Sequence, residues 1–206
     1  AYSHQIPSYH KDVMGFHLNV DVNYDIFWGE YEGQRCSIDE FLSDNVEMEI
    51  YGVSVKTLPI EKAFVQLVLH HYKEMNSLYH LSKHNSIRTE MFSDICSMFL
   101  NGVEVFTIEK MQELSERYFM GEYLYYMFYY MYQAFNNVIL DEYLKKLKCY
   151  QNDELIECYG LNESERKKWT IPFASRMDND NLVELIWGEF SPLDRSKIEL
   201  GNKIFV

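Results

Sequence analysis

Residues 16–27, FHLNVDVNYDIF, alternate between apolar and polar side chains without a break, and this stretch decides the N-terminal part of the fold. Because successive side chains of a β-strand point to opposite faces, the alternation predicts one strand with its apolar face on a core. The apolar face would consist of Phe16, Leu18, Val20, Val22, Tyr24 and Ile26. The polar face would consist of His17, Asn19, Asp21, Asn23 and Asp25.

The polar face of this strand carries carboxylates, amides and an imidazole, and it can be interpreted in two ways. Oxygen ligands on a rigid element are what a hard cation such as Mg²⁺ requires, which indicates a metal site. A solvated face is also ordinary for an antiparallel sheet, which indicates no site at all. The strand by itself leaves both interpretations open.

The rest of the chain before Pro59 also has the two-residue period of β-structure. Residues 2–9 are predicted to pair with the first strand. Residues 46–55 are predicted to form a small hairpin whose turn is at Tyr51 and Gly52.

After Pro59 the apolar residues recur with the 3.6-residue period of helices, and four or five helices are predicted. The chain is therefore predicted to be α+β, with a β-containing domain over residues 1–58 and a helical domain over residues 59–206. A chain of 206 residues, 47% of them hydrophobic, is long enough to bury one good core or two small ones.

Two of the predicted helices carry a polar side chain among their apolar residues. His71 lies on the apolar stripe of a helix over 60–73, where it is either a hydrogen-bonded core histidine or a catalytic or metal-binding group. Asp94 lies on the apolar side of a helix over 86–101. Because a carboxylate buried without a partner is costly, Asp94 is predicted to contact a helix N-terminus, a cationic side chain or the surroundings of a metal site.

Residues 121–137, GEYLYYMFYYMYQAFNN, place tyrosine and phenylalanine around the whole circumference of a predicted helix. A helix with one buried face does not have this pattern, so the helix is predicted to be buried in a bundle or to pack against another chain. A platform for stacking nucleic-acid bases is a third interpretation, although no Lys or Arg is interleaved.

Composition argues against several classes of partner. The chain has 19 Lys and Arg against 32 Asp and Glu, a net charge of −13, so sequence-independent nucleic-acid binding is not expected. No stretch approaches the roughly 20 apolar residues of a membrane span, and no membrane association is expected. The four cysteines have no metal-ligand spacing and are typical of reduced thiols, which predicts a cytoplasmic protein.

Three short motifs follow one another between His10 and Asn101. They read VDVNY over residues 20–24, LVLHHYK over residues 67–73, and DI at residues 94–95. In this order and at these intervals they resemble the uncharacterised nucleotidyltransferase family of the polymerase β-like superfamily. Asn23 and Tyr24 stand where that family usually has His and Trp.

The resemblance implies a partial antiparallel or mixed nucleotidyltransferase sheet followed by a mainly helical bundle. It implies Mg²⁺-dependent transfer of a nucleoside monophosphate from an NTP to a hydroxyl of an unknown acceptor. Asp21 would be the catalytic carboxylate that helps to hold the metal, and the nucleotide-binding residues remain unassigned. Asp25, Asn23, His71 and Asp94 are weaker candidates. On a regular strand Asp25 would lie about 13 Å from Asp21, too far to share one ion.

The other two carboxylates of that family follow a Gly-Ser turn as an Asp-x-Asp, and this pattern is not found ahead of Asp21 in the sequence. A second polypeptide or a preceding segment would have to complete the site, or the chain is an inactive remnant. Whether the chain is an enzyme therefore depends on that missing segment. Two other hypotheses remain, a non-catalytic protein-interaction module and a metal-dependent hydrolase. The hydrolase would use Asp21, Asp25, Glu30 and Glu32.

Overall fold

The computed structural model describes residues 8–29, 31–83 and 87–204, with side-chain surroundings up to residue 200. The protein is α+β, with small antiparallel strand pairs near the N-terminus followed by a mostly helical region, as predicted. The strands are β1 (Tyr9–Val13), β2 (Phe16–Val20), β3 (Val46–Ile50), β4 (Val53–Thr57), β5 (Cys158–Tyr159) and β6 (Lys167–Lys168). The helices are α1 (Ile38–Leu42), α2 (Ile60–Asn76), α3 (Leu78–Ser82), α4 (Thr89–Asn101), α5 (Ile108–Arg117), α6 (Gly121–Phe135), α7 (Val138–Lys146), α8 (Asp153–Glu157), α9 (Phe173–Arg176), α10 (Leu182–Leu185) and α11 (Pro192–Ile204).

The first hairpin pairs β1 with β2 in an antiparallel register that places Tyr9 opposite Val20. Its turn is formed by Met14 and Gly15, whose φ angles are 50° and 84°. Positive φ at both turn positions matches the twist of a two-residue hairpin turn, and glycine adopts it without strain. Residues 2–7 of the segment predicted to pair here lie outside the described residues.

The second hairpin pairs β3 with β4 and confirms the prediction for residues 46–55. The turn lies at Tyr51 and Gly52, with φ angles of 52° and 77°. Ile50 lies opposite Val53 at the turn end, and the strands remain paired over their full five residues.

The strand predicted over residues 16–27 is shorter, because β2 ends at Val20. Phe27 and Trp28 are both buried. Both residues come after the end of β2 and belong to the hydrophobic core that the helices build.

The prediction that the apolar face of the first strand lies on a core is wrong, because this face is exposed. The exposed apolar side chains of this region include Tyr9, Met14, Phe16, Leu18, Val20, Val22 and Tyr24, whereas Ile26 at the end of the predicted face is partly buried against the core. The second hairpin likewise exposes Val46, Met48, Ile50 and Val53. Alternation reports which residues share a face, but a two-stranded hairpin cannot cover its own apolar face.

The hydrophobic core is built by helices around α6, which packs against α2, α4, α5, α7 and α8. The helix is buried on most of its circumference, as predicted for a helix inside a bundle. Its phenols reach polar partners: Tyr130 Oη donates to the carbonyl oxygen of Ile156 at 2.5 Å, and Asn76 Nδ2 donates to Tyr126 Oη at 3.1 Å. These hydrogen bonds allow tyrosines to occupy a core position.

Two of the core helices begin at side-chain caps. Thr107 begins α5, and its hydroxyl accepts a hydrogen bond from the backbone N–H of Lys110 at 3.3 Å. Asp178 lies far along the chain but caps α4, because its carboxylate accepts from the backbone N–H of Thr89 at 2.9 Å. Each cap satisfies a backbone donor that the first turn of a helix leaves without a partner.

The segment between the two hairpins is anchored in this core by aromatic contacts. The Trp28 ring centroid lies 5.5 Å from those of both Tyr72 and Tyr123. The Phe41 ring lies 5.3 Å from that of Tyr118 in an edge-to-face arrangement. This segment therefore belongs to the same hydrophobic cluster as the helices.

A buried lysine strengthens this attachment. Lys62 of α2 donates to the carbonyl oxygens of Phe41 at 2.7 Å and Glu40 at 3.1 Å, and it forms an ion pair with Asp44. The charge of a buried ammonium group requires such partners, so α1 is held against α2 by polar as well as apolar contacts.

None of the helices within the described parts of the chain is long and apolar enough to cross a membrane. The cysteines Cys36, Cys96, Cys149 and Cys158 are free thiols. Burial raises the pKa of the Cys96 thiol, which keeps it in the less reactive protonated form.

Candidate metal centre

Two adjacent histidines and a glutamate share one side of α2. His70 lies four residues before Glu74 and His71 lies three residues before it, the two spacings at which helical side chains are neighbours. The Glu74 carboxylate therefore reaches both imidazoles. His80, from the adjacent helix α3, also lies near this carboxylate. These four residues are called the His–Glu cluster below.

The polar atoms of the His–Glu cluster lie close together. His70 Nε2 is 3.2 Å from Glu74 Oε1, and His71 Nδ1 is 3.7 Å from Glu74 Oε2. His80 Nε2 is 3.7 Å from Glu74 Oε1. One potential ligand atom from each of His70, His71 and Glu74 lies within 4.8 Å of the other two.

The cluster extends from the interior of the protein to its surface. The His71 side chain is 11% exposed and the Glu74 side chain 18%, whereas that of His70 is 43% exposed. A dissolved ion can therefore approach from the side of His70, while the deeper groups are shielded from water.

The buried His71 imidazole has polar atoms without hydrogen-bond partners. Its Nδ1 and Nε2 are both buried, and neither forms a hydrogen bond with any of the residues that the structure describes. The separation of 3.7 Å from Glu74 is too long for a hydrogen bond, although it permits electrostatic attraction. Buried polar atoms usually have a partner, and an imidazole nitrogen can find one in a metal ion.

Glu74 is held in its charged form. Burial alone would raise the pKa of this carboxyl, but the nearby imidazoles of His70, His71 and His80 hold the pKa of Glu74 well below its usual range. A deprotonated carboxylate is the form that binds a metal.

Two imidazoles and one carboxylate form a donor set suited to a particular group of metals. Imidazole favours zinc, copper, iron and nickel, whereas Mg²⁺ prefers oxygen ligands. Ligand atoms about 2.0–2.1 Å from a tetrahedral zinc ion lie about 3.3 Å from one another. The separations of 3.2 Å for His70 and 3.7 Å for His71, each from a different oxygen of Glu74, are near that value. All three ligand atoms lie within 4.8 Å of one another, so the side chains would move closer together to bind one ion.

Asp21, the catalytic residue predicted from the resemblance, is exposed and follows the end of β2. Its carboxylate accepts a hydrogen bond from the hydroxyl of Ser8. On the neighbouring part of the hairpin, His17 Nδ1 lies 2.7 Å from Asp12 Oδ1, and the rings of His10 and His17 stack with centroids 5.5 Å apart. The hairpin therefore has a polar surface of carboxylates and imidazoles, on which Asp21 is accessible.

Asp25 has structural partners of its own. Its carboxylate forms an ion pair with Arg35 and accepts a hydrogen bond from the backbone N–H of Phe27 at 3.0 Å. These contacts stabilise the turn by which the chain enters the core. Within the described residues, neither Asp21 nor Asp25 belongs to a group of three or more potential metal ligands.

Asn23, a weaker candidate, and Glu32, which the hydrolase hypothesis includes, are both accessible. Asn23 is exposed beyond the end of β2, and Glu32 is exposed in the following loop. Glu30, which the hydrolase hypothesis includes, lies outside the described residues. His71 is buried as predicted, and among the candidates that the structure describes it is the one that lies in a cluster of metal-binding side chains.

The prediction that Asp94 is buried is wrong, because its side chain is exposed. The buried residues of α4 are Met91, Phe92, Ile95, Cys96 and Phe99. At 100° per residue, Asp94 is about 130° from the centre of that buried stripe. It therefore faces water and needs no buried partner.

His70, Glu74 and His80 were not among the candidates from the sequence. The signal for the first two is local, because a histidine pair followed by a glutamate three and four residues later shares one helix face. His80 comes from a separate helix, and its proximity depends on the corner between α2 and α3.

No relative was found by comparison with known proteins. The chain matches no family model, no curated protein and no solved structure. The resemblance to nucleotidyltransferases therefore rests on the three short motifs.

Proposed function

We propose that this protein binds one divalent transition-metal ion of the zinc class through His70, His71 and Glu74. The buried His71 imidazole supports the proposal most directly. Its two nitrogens lack hydrogen-bond partners within the described structure, while a charged carboxylate and a second imidazole lie within 4.8 Å.

The bound ion would have a structural role at the corner between α2 and α3. Catalytic metal sites keep an open position towards a substrate cavity. The two cavities described in this chain, one beside Arg176 and one beside Gln151, are lined by no residue of the His–Glu cluster. With His80 next to Glu74, an ion would tighten the packing of two consecutive helices. The free cysteines favour a reducing compartment such as the cytoplasm.

The test is calorimetric titration of the metal-free protein with Zn²⁺. We expect one binding site in the wild type, and we expect His70→Ala to weaken binding by more than about 100-fold, the upper end of the loss seen when outer-shell partners are removed. His70 is half-exposed, so this variant removes a ligand without opening a core cavity.

The matched control is His17→Ala, which removes an imidazole paired with a carboxylate on the first hairpin. This variant should bind Zn²⁺ as the wild type does. If both variants bind Zn²⁺ equally well, or if the wild type binds none, the His–Glu cluster is an ion-pair cluster and not a metal site.

The second candidate function is the nucleotidyltransferase activity that the resemblance implies, with Mg²⁺ as cofactor and an NTP as substrate. It is favoured by the accessible carboxylate of Asp21 on a hairpin surface that also carries His10 and His17. A further segment or a second polypeptide would supply the remaining carboxylates, and the acceptor is a hydroxyl of unknown identity.

If Asp21 acts in this way, Mg²⁺-dependent NTP binding by the complete protein should be lost in Asp21→Asn, because the amide removes the charge that holds the ion. Equilibrium dialysis with each of the four NTPs measures this. Asp12→Asn is the control, since it removes an exposed carboxylate from the opposite strand of the same hairpin. Equal NTP binding by the wild type and Asp21→Asn would refute the assignment.

A further inference from the structure

Arg176, at the end of α9, is a cation buried among aromatic rings. Only 4% of the residue is exposed. The guanidinium carbon lies 4.4 Å from the ring centroid of Trp169, 5.3 Å from that of Tyr130 and 5.6 Å from that of Phe173. The aromatic faces attract the cation, but they carry no formal charge that could neutralise it.

The guanidinium uses few of its hydrogen-bond donors. Nη2 donates to Tyr130 Oη at 3.0 Å. Nε and Nη1 are buried and have no hydrogen-bond partner within the described parts of the chain. The indole Nε1 of Trp169, stacked on the guanidinium, is likewise buried without a partner there.

No counter-charge for Arg176 is found among the described residues. None of the ion pairs in the described structure includes this guanidinium, although most other arginines and lysines of the helical region are paired with carboxylates. Burial raises the pKa of Tyr130, so its phenol remains neutral and cannot supply the charge. An unpaired buried cation is unfavourable, and it is unexpected in a protein whose net charge is −13.

Arg176 forms part of the wall of a cavity of about 440 Å³. Trp169, Phe173 and Ile156 contribute planar and apolar walls, while Lys168 and Glu157 line the cavity and pair with each other at 2.6 Å. Because Lys168 and Glu157 neutralise each other, the charge of Arg176 gives the cavity lining one excess positive charge. The volume is in the range of small-molecule sites, and the lining combines apolar walls with a few polar groups as such sites do.

We propose that this cavity binds a small organic anion, a molecule in which a carboxylate or phosphate group is attached to a planar apolar body. The anionic group supplies the missing counter-charge of Arg176 and accepts from its unused N–H donors after a small rotation of the surrounding side chains. The planar body lies against the aromatic wall. The proposal is independent of the His–Glu cluster, which contributes no residue to this cavity.

The test is calorimetric titration of the full chain with four probes: benzoate, phenyl phosphate, benzamide and inorganic phosphate. We expect benzoate or phenyl phosphate to bind at least about tenfold more tightly than both benzamide, which lacks the charge, and inorganic phosphate, which lacks the ring. The better of the two aryl anions identifies the acidic group that the site prefers.

Two variants test the role of the guanidinium. Arg176→Met replaces the cation with an apolar side chain of similar length, and its affinity for the better aryl anion should fall at least about tenfold. Arg176→Lys keeps the positive charge and should retain part of that affinity. Arg195→Met is the matched control, because Arg195 also stacks on a tryptophan, Trp187, but does not line the cavity. Circular dichroism verifies that each variant is folded.

Either of two outcomes overturns the proposal. One is that the wild type binds neither aryl anion more tightly than benzamide, and this result does not depend on any variant. The other is that folded Arg176→Met binds the better aryl anion as tightly as Arg195→Met does. If Arg176→Met fails to fold, the probe comparison on the wild type and Arg176→Lys decides.

Discussion

Replacing Phe64 with alanine is expected to lower the free energy of unfolding by about 3–5 kcal/mol, whereas the same change at Phe16 is expected to alter it by no more than about 0.5 kcal/mol. Phe64 of α2 is fully buried, and its ring centroid lies 4.6 Å from that of Phe106. Replacing Phe64 with alanine loses the free energy that burying the ring contributes, and the cavity left behind destabilises the folded state further. Phe16 is 72% exposed on the first hairpin, so its removal leaves no cavity.

Equilibrium urea unfolding, followed by far-ultraviolet circular dichroism, measures both changes. The two variants delete the same atoms. The difference between their free energies of unfolding therefore reports the surroundings of the two rings and not the chemistry of the substitution. Equal destabilisation by the two variants would show that the apolar face of the first hairpin is covered in solution, by another part of the protein or by a second molecule.

This contrast also explains which parts of the fold could be predicted from the sequence. Helices α2 and α6 could be predicted because a 3.6-residue period and a circumference of aromatic residues are local properties. The turn at Tyr51 and Gly52 could be predicted for the same reason, since turn chemistry depends on a few adjacent residues.

The predictions that were wrong concern which faces of the strands and helices are buried. The apolar residues of the first strand do share a face, as their alternation indicates, but that face is exposed. Whether it is covered depends on distant parts of the chain that a local pattern does not reveal. The prediction that Asp94 is buried was wrong for a related reason. The buried stripe of α4 is narrower than the predicted one and does not include Asp94.

The two candidate sites also differ in whether local sequence could predict them. His70, His71 and Glu74 are within five residues of one another, so their proximity follows from helix geometry alone. Arg176 and Tyr130 are 46 residues apart, and nothing in their local sequence indicates that they meet. The excess positive charge of that cavity is a property of the tertiary structure.

The second prediction with a large expected effect is that zinc stabilises the folded protein. A ligand that binds the folded state and not the unfolded chain adds about 2.7 kcal/mol of stability when its free concentration is 100 times its dissociation constant. The His–Glu cluster meets the first requirement because α2 holds the side chains of His70, His71 and Glu74 within 4.8 Å of one another. In an unfolded chain the same residues have no fixed geometry, so Zn²⁺ binds there more weakly.

The measurement is the urea midpoint of unfolding as a function of free Zn²⁺ concentration, with Mg²⁺ as the comparison ion. Because imidazole is a poor ligand for Mg²⁺, only Zn²⁺ should raise the midpoint. His70→Ala should remove the zinc-dependent part of the stability. The metal-free variant also loses the attraction between His70 and Glu74, so each protein is compared with itself with and without Zn²⁺. A midpoint that rises equally in the wild type and in His70→Ala would place the stabilising ion elsewhere in the protein. A midpoint that rises in the wild type and in His17→Ala but not in His70→Ala would assign the ion to the His–Glu cluster, because His17→Ala removes an imidazole outside it.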